Sequence, residues 1–136
     1  MPRSSVDVAL DFVSRINDHD VGGILELMAD NHRFVDGLGQ EVQGKEGMKK
    51  GWEEYFAWFP DYKMTIERSF STKQWVALFG RGSGTFAEPS KYRSKENLHW
   101  NIPAAWQARV VDGLLVEWQV YVDNEPVWKS MGVKRY

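Results

Sequence analysis

The stretch Trp106–Val122, with the sequence WQARVVDGLLVEWQVYV, decides the fold, because apolar and polar side chains alternate on both sides of a tight turn. Its even-numbered apolar positions are Trp106, Ala108, Val110, Val116, Trp118, Val120 and Val122. Its odd-numbered polar positions include Gln107, Arg109, Glu117 and Gln119. Successive side chains of a strand point to opposite faces, and Asp112-Gly113 is typical of a two-residue hairpin turn. The stretch predicts strands at 104–111 and 114–122, with one face turned to a core or pocket and the other to water or a partner subunit.

The same period of two extends upstream of this hairpin. Tyr62, Met64 and Ile66 alternate with polar residues, which predicts a half-buried strand. Further strands are expected at about 74–86 and 91–102. Three glycines fall on one face of the first of these, which lets a sheet bend sharply or leaves room beneath an aromatic ring; they are Gly80, Gly82 and Gly84.

The first part of the chain has helical periodicity. Apolar residues recur at three- and four-residue steps after Ser4 or Ser5, either of which can cap the helix. A short second helix follows a cap at Asp18 or Asp20, and a third helix, about 45–59, ends before Pro60. Helices followed by a run of antiparallel strands predict an α+β fold, and the length suits one domain, 1–136.

The aromatic content predicts a pocket. Aromatic residues make up 14% of the chain, with seven Trp, seven Phe and five Tyr. A domain of this size buries roughly 68–70% of the surface of its unfolded chain, so many of these rings must lie inside. Because such large rings rarely fill a core without gaps, we expect a cavity.

Charge and composition argue against several other classes of protein. The net charge is -2 and the basic residues are scattered, which does not favour a nucleic-acid partner. The chain has no Cys, and its histidines lack the spacing of a metal site. No apolar run approaches 18 residues and Met1 to Asp7 lacks the apolar core of a signal peptide, so we expect a cytoplasmic protein without a membrane partner.

The order of elements and several local sequences resemble the SnoaL-like polyketide cyclase and ketosteroid isomerase-like families of the nuclear transport factor 2-like superfamily. The segments that carry the resemblance are Asn17-Asp18-His19-Asp20, Ile24–Asp30, Phe34-Val35-Asp36, Gly44–Gly47, Phe59-Pro60-Asp61, Ile102–Ala105, Asp112-Gly113 and Tyr121-Val122-Asp123. The resemblance implies a cystatin-like cone, in which three N-terminal helices pack in a strongly curved antiparallel sheet around one pocket. It also implies an isomerase or cyclase that needs no cofactor or metal and transfers protons on a small apolar carbonyl compound of polyketide or steroid type.

The resemblance assigns two catalytic carboxylates. Asp36 matches the general base of ketosteroid isomerases, and it shares a strand face with Phe34; the alternative is that Asp36 caps the turn at Gly37–Gly39. Asp123 matches the general acid/base of polyketide cyclases. Strict alternation would place Asp123 outside unless a bulge or the strand end turns it inward, and the alternative is a cap for the segment 124–129.

The oxyanion donors of ketosteroid isomerases are not both retained. Phe12 stands at the position of their Tyr and cannot donate a hydrogen bond. Trp106 stands at the position of their neutral Asp, and its indole N–H can donate; the alternative is that Trp106 is only a wall residue. The residues expected to line the pocket are Phe12, Phe34, Trp52, Tyr55, Phe56, Trp106, Trp118 and Val120. The alternative function is a non-catalytic module that binds a small apolar ligand or dimerises, and the resemblance implies a homodimer formed through the outer sheet face.

Overall fold

The computed structural model describes residues 3–87 and 98–132, which form an α+β fold with a curled sheet. Its helices are α1 (Ser5–Asn17), α2 (Val21–Glu26), α3 (Lys45–Trp58) and α4 (Glu125–Met131). Its strands are β1 (Met28–Val35), β2 (Glu41–Gln43), β3 (Lys63–Ser71), β4 (Trp75–Thr85), β5 (His99–Val111) and β6 (Leu114–Val122). The six strands form one sheet in the order β2-β1-β6-β5-β4-β3. No helix within the described ranges is long and apolar enough to cross a membrane.

The predicted α+β class is confirmed, but the sheet is not wholly antiparallel. β1 runs parallel to β6, whereas every other neighbouring pair is antiparallel. β1 and β6 are far apart in sequence, so the chain can return through α3 and four strands before β6 joins β1 in the same direction. β2 and α4 were not predicted.

The hairpin of β5 and β6 has the predicted two-residue turn. Val111 pairs with Leu114, and Asp112 and Gly113 have positive φ angles of 52° and 78°. These angles are those of a turn whose twist matches that of the flanking strands. On the inner face, Trp106 and Trp118 are 4% and 2% exposed, as the alternation predicts.

The prediction that Val116 lies on the inner face of the hairpin was wrong. Arg109 pairs with Glu117 but Val110 pairs with Leu115, so Val116 is an extra residue in β6. This bulge reverses the alternation near the turn, and Leu115 is completely buried while Val116 is only half-buried. Both residues are apolar, so the sequence pattern does not reveal the shift.

The break predicted between 91–102 and 104–111 is absent, since β5 continues through Pro103. β6 ends at Val122 opposite Ala104, so beyond that point β5 has only β4 beside it. A proline is tolerated where a strand lacks a neighbour on one side. Most of the predicted strand 91–102 lies outside the described residues.

The stretch Asn17–Asp20 joins the helices to the sheet. The side chain of Asn17 donates to the carbonyl of Met64 at 2.9 Å and accepts from the N–H of Met64 at 2.8 Å, as a neighbouring strand would. The carboxylate of Asp20 accepts from the N–H of Gly23 and caps α2. The imidazole of His19 stacks on Phe56 with a centroid separation of 4.0 Å. This stretch therefore fixes α1, α2 and α3 over the inner face of the sheet.

The glycines of β4 have the predicted steric role. A Cβ on Gly80 would lie 1.8 Å from the carbonyl oxygen of Thr65, and a Cβ on Gly84 would lie 2.9 Å from the ring of Trp100. A Cβ on Gly82 would also meet the Trp100 ring, at 3.7 Å. Their small size lets the sheet bend and lets the Trp100 ring lie flat on β4.

Candidate functional site

A cavity of about 320 Å³ lies between the inner face of the sheet and the helices α3 and α4. This volume falls within the range of small-molecule pockets, roughly 300–1,000 Å³. Six of the seven tryptophans line it, namely Trp52, Trp58, Trp100, Trp106, Trp118 and Trp128. The seventh, Trp75, lies on the outer face and is 43% exposed. The tryptophans are therefore concentrated around one space.

The secondary structure explains why these rings converge. Met48, Trp52 and Tyr55 recur at helical spacing along α3 and face the sheet. Trp106 lies opposite Val120 in the β5–β6 pair, and both belong to the inner face. The curl of the sheet turns this face toward α3, so aromatic residues from strands and helix enclose the same volume.

Asp36 follows β1 directly and lies on the cavity wall, where it is half-buried. Its Oδ1 accepts hydrogen bonds from the N–H groups of Leu38 and Gln40, both at 2.9 Å. The two readings of Asp36 given by the sequence are thus compatible, because one carboxylate oxygen closes the turn while the side chain lines the cavity. Its Oδ2 has no hydrogen-bond partner among residues 3–87 and 98–132.

Asp123 lies outside the cavity, as strict alternation requires, because Val122 is the residue of that pair that faces inward. Asp123 is exposed on the outer face, and its Oδ1 accepts from the N–H of Glu125 at 3.0 Å. The expectation that a bulge or strand end turns Asp123 inward does not hold, since the bulge of β6 lies at the other end of the strand. Asp123 acts as a cap at the start of α4.

Six of the eight residues expected to line the pocket do line it: Phe34, Trp52, Tyr55, Trp106, Trp118 and Val120. Phe12 and Phe56 do not. Phe12 is completely buried and packs on Trp118 at 4.8 Å, so Trp118 separates it from the cavity. Phe56 stacks instead on His19 and Trp52, at 4.0 Å and 5.3 Å.

The cavity has an uneven distribution of polar groups. Asp36 is the only carboxylate among its described lining residues, and none of them is Lys, Arg or His. Tyr55 and Tyr62 also line it, and burial raises the pKa of both hydroxyls. Both tyrosines therefore remain protonated at neutral pH. No group of three potential metal ligands comes together in the described part of the chain.

Two indole N–H groups of the cavity wall have no acceptor among the described residues. They are the buried Nε1 atoms of Trp52 and Trp100. These side chains belong to residues that are only 8% and 4% exposed. Leaving such a group unsatisfied costs about 1–3 kcal/mol.

Several lining residues were not predicted from the sequence. Trp100 and Tyr62 were assigned to strands, and the alternation of Tyr62 with Lys63 was a signal that it faces inward. Asn124 and Trp128 come from the end of β6 and from α4. No periodic pattern marks a seven-residue helix, so these two positions gave no comparable signal.

A curled sheet that encloses a mostly aromatic cavity under helices is typical of proteins that bind small molecules in a cone. The sequence pattern of the SnoaL-like domain family matches residues 9–118. The chain therefore belongs to the SnoaL-like domain family. No curated protein matches its sequence.

Solved structures share this fold along almost the whole chain. A candidate SnoaL-like polyketide cyclase from Jannaschia is 18% identical, with a TM-score of 0.81 and coverage of 99% of both chains. AclR, a candidate hydroxylase from Streptomyces galilaeus, is 20% identical, with a TM-score of 0.77 and coverage of 94% of this chain and 80% of its own.

A third structure, from Catenulispora acidiphila, has a ketosteroid isomerase-like fold and contains trimethylamine. It is 15% identical, with a TM-score of 0.78 and coverage of 96% of both chains. At these identities the likeness establishes the fold alone. This chain is thus related in fold to polyketide cyclases and hydroxylases.

Proposed function

We propose that the protein is a cofactor-independent isomerase or cyclase that transfers protons on a small, flat, apolar carbonyl compound of polyketide or steroid type, with Asp36 as general base. The observation that carries this proposal is the position of Asp36, the only carboxylate among the described residues of an aromatic cavity. A carboxylate that faces such an apolar cavity can act as a general base and take a proton from carbon.

The hydrogen bonds of Asp36 suit this role. Its Oδ1 is held by the N–H groups of Leu38 and Gln40, which fixes the carboxylate with respect to β1. The other oxygen is available to the substrate. A base that is held in position by its own turn needs no reorganisation before the reaction.

The chemistry balances without a further reactant. The proton of a carbon next to the carbonyl moves to Asp36, and the electron pair of that C–H bond becomes the double bond of an enolate. In an isomerase the proton returns to a different carbon of the extended enolate. In a cyclase the enolate carbon attacks a second carbonyl of the same molecule, and Asp36 returns the proton to the new alkoxide.

The cavity wall supports a ligand that carries oxygen atoms. Trp52 and Trp100 carry N–H donors that have no acceptor within residues 3–87 and 98–132, and their rings give a large apolar surface. A flat ligand with carbonyl groups would pack on the rings and could accept these hydrogen bonds. A hydrocarbon would leave both donors unsatisfied.

The proposal is tested with 2-tetralone, a flat ketone with acidic α-protons, by measuring the exchange of these protons for deuterium by NMR. We expect the protein to accelerate the exchange and Asp36→Asn to reduce the acceleration by about 10²–10⁴-fold, because an amide is not a base. Asp30→Asn is the matched control, since the side chain of Asp30 is fully exposed at 103%. Equal acceleration by the wild type and Asp36→Asn would refute the role of Asp36.

A second candidate function is non-catalytic binding of a small ligand, and three observations favour it. Phe12 supplies no hydroxyl for an enolate, and one oxygen of Asp36 is already engaged by its turn. The related Catenulispora structure contains trimethylamine, and aromatic rings together with one carboxylate suit an organic ammonium ion. Binding of tetramethylammonium, without acceleration of 2-tetralone exchange, would favour this alternative.

We also propose that the protein forms a homodimer through the outer face of the sheet. Phe79, Ala105 and Tyr121 form a row across β4, β5 and β6 on this face, and Phe79 and Tyr121 are 40% and 50% exposed. Phe70, 61% exposed, packs edge-on against Phe79 at 6.0 Å. Contiguous exposed rings of this kind mark interaction sites. Sedimentation at micromolar concentration should give a dimer for the wild type and a monomer for Phe79→Arg; a wild-type monomer would contradict the proposal.

A further inference from the structure

The end of β6 brings an amide next to Asp36. Asn124 lines the same cavity as Asp36. Its Nδ2 lies 3.4 Å from the position that a Cβ on Gly37 would occupy, and Gly37 directly follows Asp36. The carboxamide of Asn124 therefore lies against the segment that holds the candidate base.

The carboxamide of Asn124 does not cap the helix that follows it. Asn124 is the N-cap of α4, but its side chain makes no capping hydrogen bond. The N–H of Glu125 is bound instead by Asp123 Oδ1, at 3.0 Å. In the described part of the chain the Asn124 amide has no hydrogen-bond partner. Since an Asn N-cap normally accepts from the helix N–H groups, its amide is available to a ligand.

A side chain larger than that of Gly37 would be crowded at this point. A Cβ there would lie 3.2 Å from Cγ1 of Val122 and 3.3 Å from its carbonyl oxygen, as well as 3.4 Å from the Asn124 amide. Gly37 is not among the glycines with positive φ, which include Gly39. Its small size, and not an unusual backbone angle, lets the end of β6 approach the segment after β1.

We infer that Asp36 and Asn124 together form the polar end of the cavity and bind the oxygen-bearing end of an enolisable ketone or of its enol or phenol form. The Asn124 Nδ2–H donates to the ligand oxygen, and Asp36 Oδ2 accepts the neighbouring C–H or O–H proton. This inference rests on the proposed function, because it assigns a donor to the oxygen beside the carbon that Asp36 deprotonates.

The reason for such a donor is electrostatic. As the C–H bond breaks, negative charge develops on the carbonyl oxygen, and a donor already aimed at it stabilises the transition state most in an apolar site. Phe12 has no hydroxyl and lies behind Trp118, so it cannot supply this hydrogen bond. Asn124 reaches the cavity from β6 and supplies it in its place.

The binding test compares 5-indanol with indane, which differ by one hydroxyl group. Dissociation constants are measured by quenching of tryptophan fluorescence, since six tryptophans line the cavity. Asn124→Leu should weaken binding of 5-indanol about 3- to 10-fold, the effect of one lost hydrogen bond, and leave indane unchanged. Asn31→Leu makes the same change at an exposed position outside the cavity and should affect neither.

A second variant tests whether Asn124→Leu weakens binding only because it disturbs the cavity as a whole. Asn124→Asp keeps the shape of the side chain but removes its donor, so it should also weaken 5-indanol selectively. Equal weakening of 5-indanol and indane in both variants, or no preference of the wild type for 5-indanol, would overturn the inference. So would a wild type that binds neither compound.

The exchange of the α-protons of 2-tetralone for deuterium distinguishes a failure of this inference from a failure of the proposed function. We expect Asn124→Leu to lower kcat more than it raises KM, because the charge on the oxygen is larger in the transition state. If Asp36→Asn abolishes exchange and Asn124→Leu leaves kcat and KM unchanged, the inference fails and the proposed function stands. If Asp36→Asn exchanges as fast as the wild type while 5-indanol selectivity depends on Asn124, the proposed function fails and the binding site stands.

Discussion

Protonation of His32 should destabilise the fold below about pH 6.5. The imidazole is completely buried, and its Nδ1 lies 2.8 Å from the carbonyl oxygen of Leu115. Since a carbonyl only accepts, Nδ1 carries the proton of the neutral ring, and Nε2 has no partner in the described part of the chain. Burial lowers the pKa of His32 from its ordinary value of 6.5, against the smaller opposing effects of the Leu115 hydrogen bond and the charge of Glu117.

Proton linkage gives the direction and the upper limit of the change in stability that His32 causes as the pH falls. Because the pKa is lower in the folded state, the unfolded chain binds the proton first, and stability is lost as the pH falls through the unfolded value. If His32 stays neutral in the folded state, one pH unit below that value the loss reaches about 1.4 kcal/mol.

Urea unfolding at about pH 7.5 and about pH 5.5 measures this loss, with His32→Gln and His99→Gln compared with the wild type. Between these two pH values, the free energy of unfolding should fall by up to about 1.4 kcal/mol more for the wild type and for the exposed control His99→Gln than for His32→Gln. An identical pH dependence for His32→Gln and the wild type would refute the reasoning.

Three further substitutions test the packing that shapes the cavity. Gly84→Ala should lower the free energy of unfolding by about 1–3 kcal/mol, because its Cβ would lie 2.9 Å from the ring of Trp100. Gly51 lies on α3, and no atom of the described residues lies within 4 Å of a Cβ placed on it, so Gly51→Ala should raise the free energy of unfolding by about 0.5–1 kcal/mol. Changes of the same sign in the free energies of unfolding of Gly84→Ala and Gly51→Ala, measured with urea, would contradict the steric account. Arg33→Ala should lower the free energy of unfolding at neutral pH, since it removes the ion pair with Glu117, which is 8% exposed. Retention of full stability by this last variant would show that Glu117 needs no cation.

Much of the fold could be predicted because its patterns are strong and local. The alternation around Asp112-Gly113 gave the hairpin and its inner face, and the spacing of Gly80, Gly82 and Gly84 indicated a close contact beneath a ring. The bulge at Val116 could not be predicted, because Leu115 and Val116 are equally apolar and a shift of one residue leaves the pattern unchanged.

The residues of the candidate site were harder to predict from the sequence than the fold. The position of Asp36 followed from its resemblance to a family motif, and its hydrogen bonds to the turn were foreseen as an alternative. Helical spacing placed Phe12 on a buried face but could not show that Trp118 lies between it and the cavity. Alternation along β6 placed Asp123 outside the cavity, whereas no local pattern specifies the direction of Asn124, which lies beyond the end of the strand.

A crystal structure of the protein with 5-indanol tests the central claim most directly. We predict that the rings of the ligand lie among Trp52, Trp100 and Trp106, with its oxygen within hydrogen-bonding distance of both the Asp36 carboxylate and the Asn124 amide. An oxygen directed away from Asp36, or a ligand bound outside the cavity, would contradict the account.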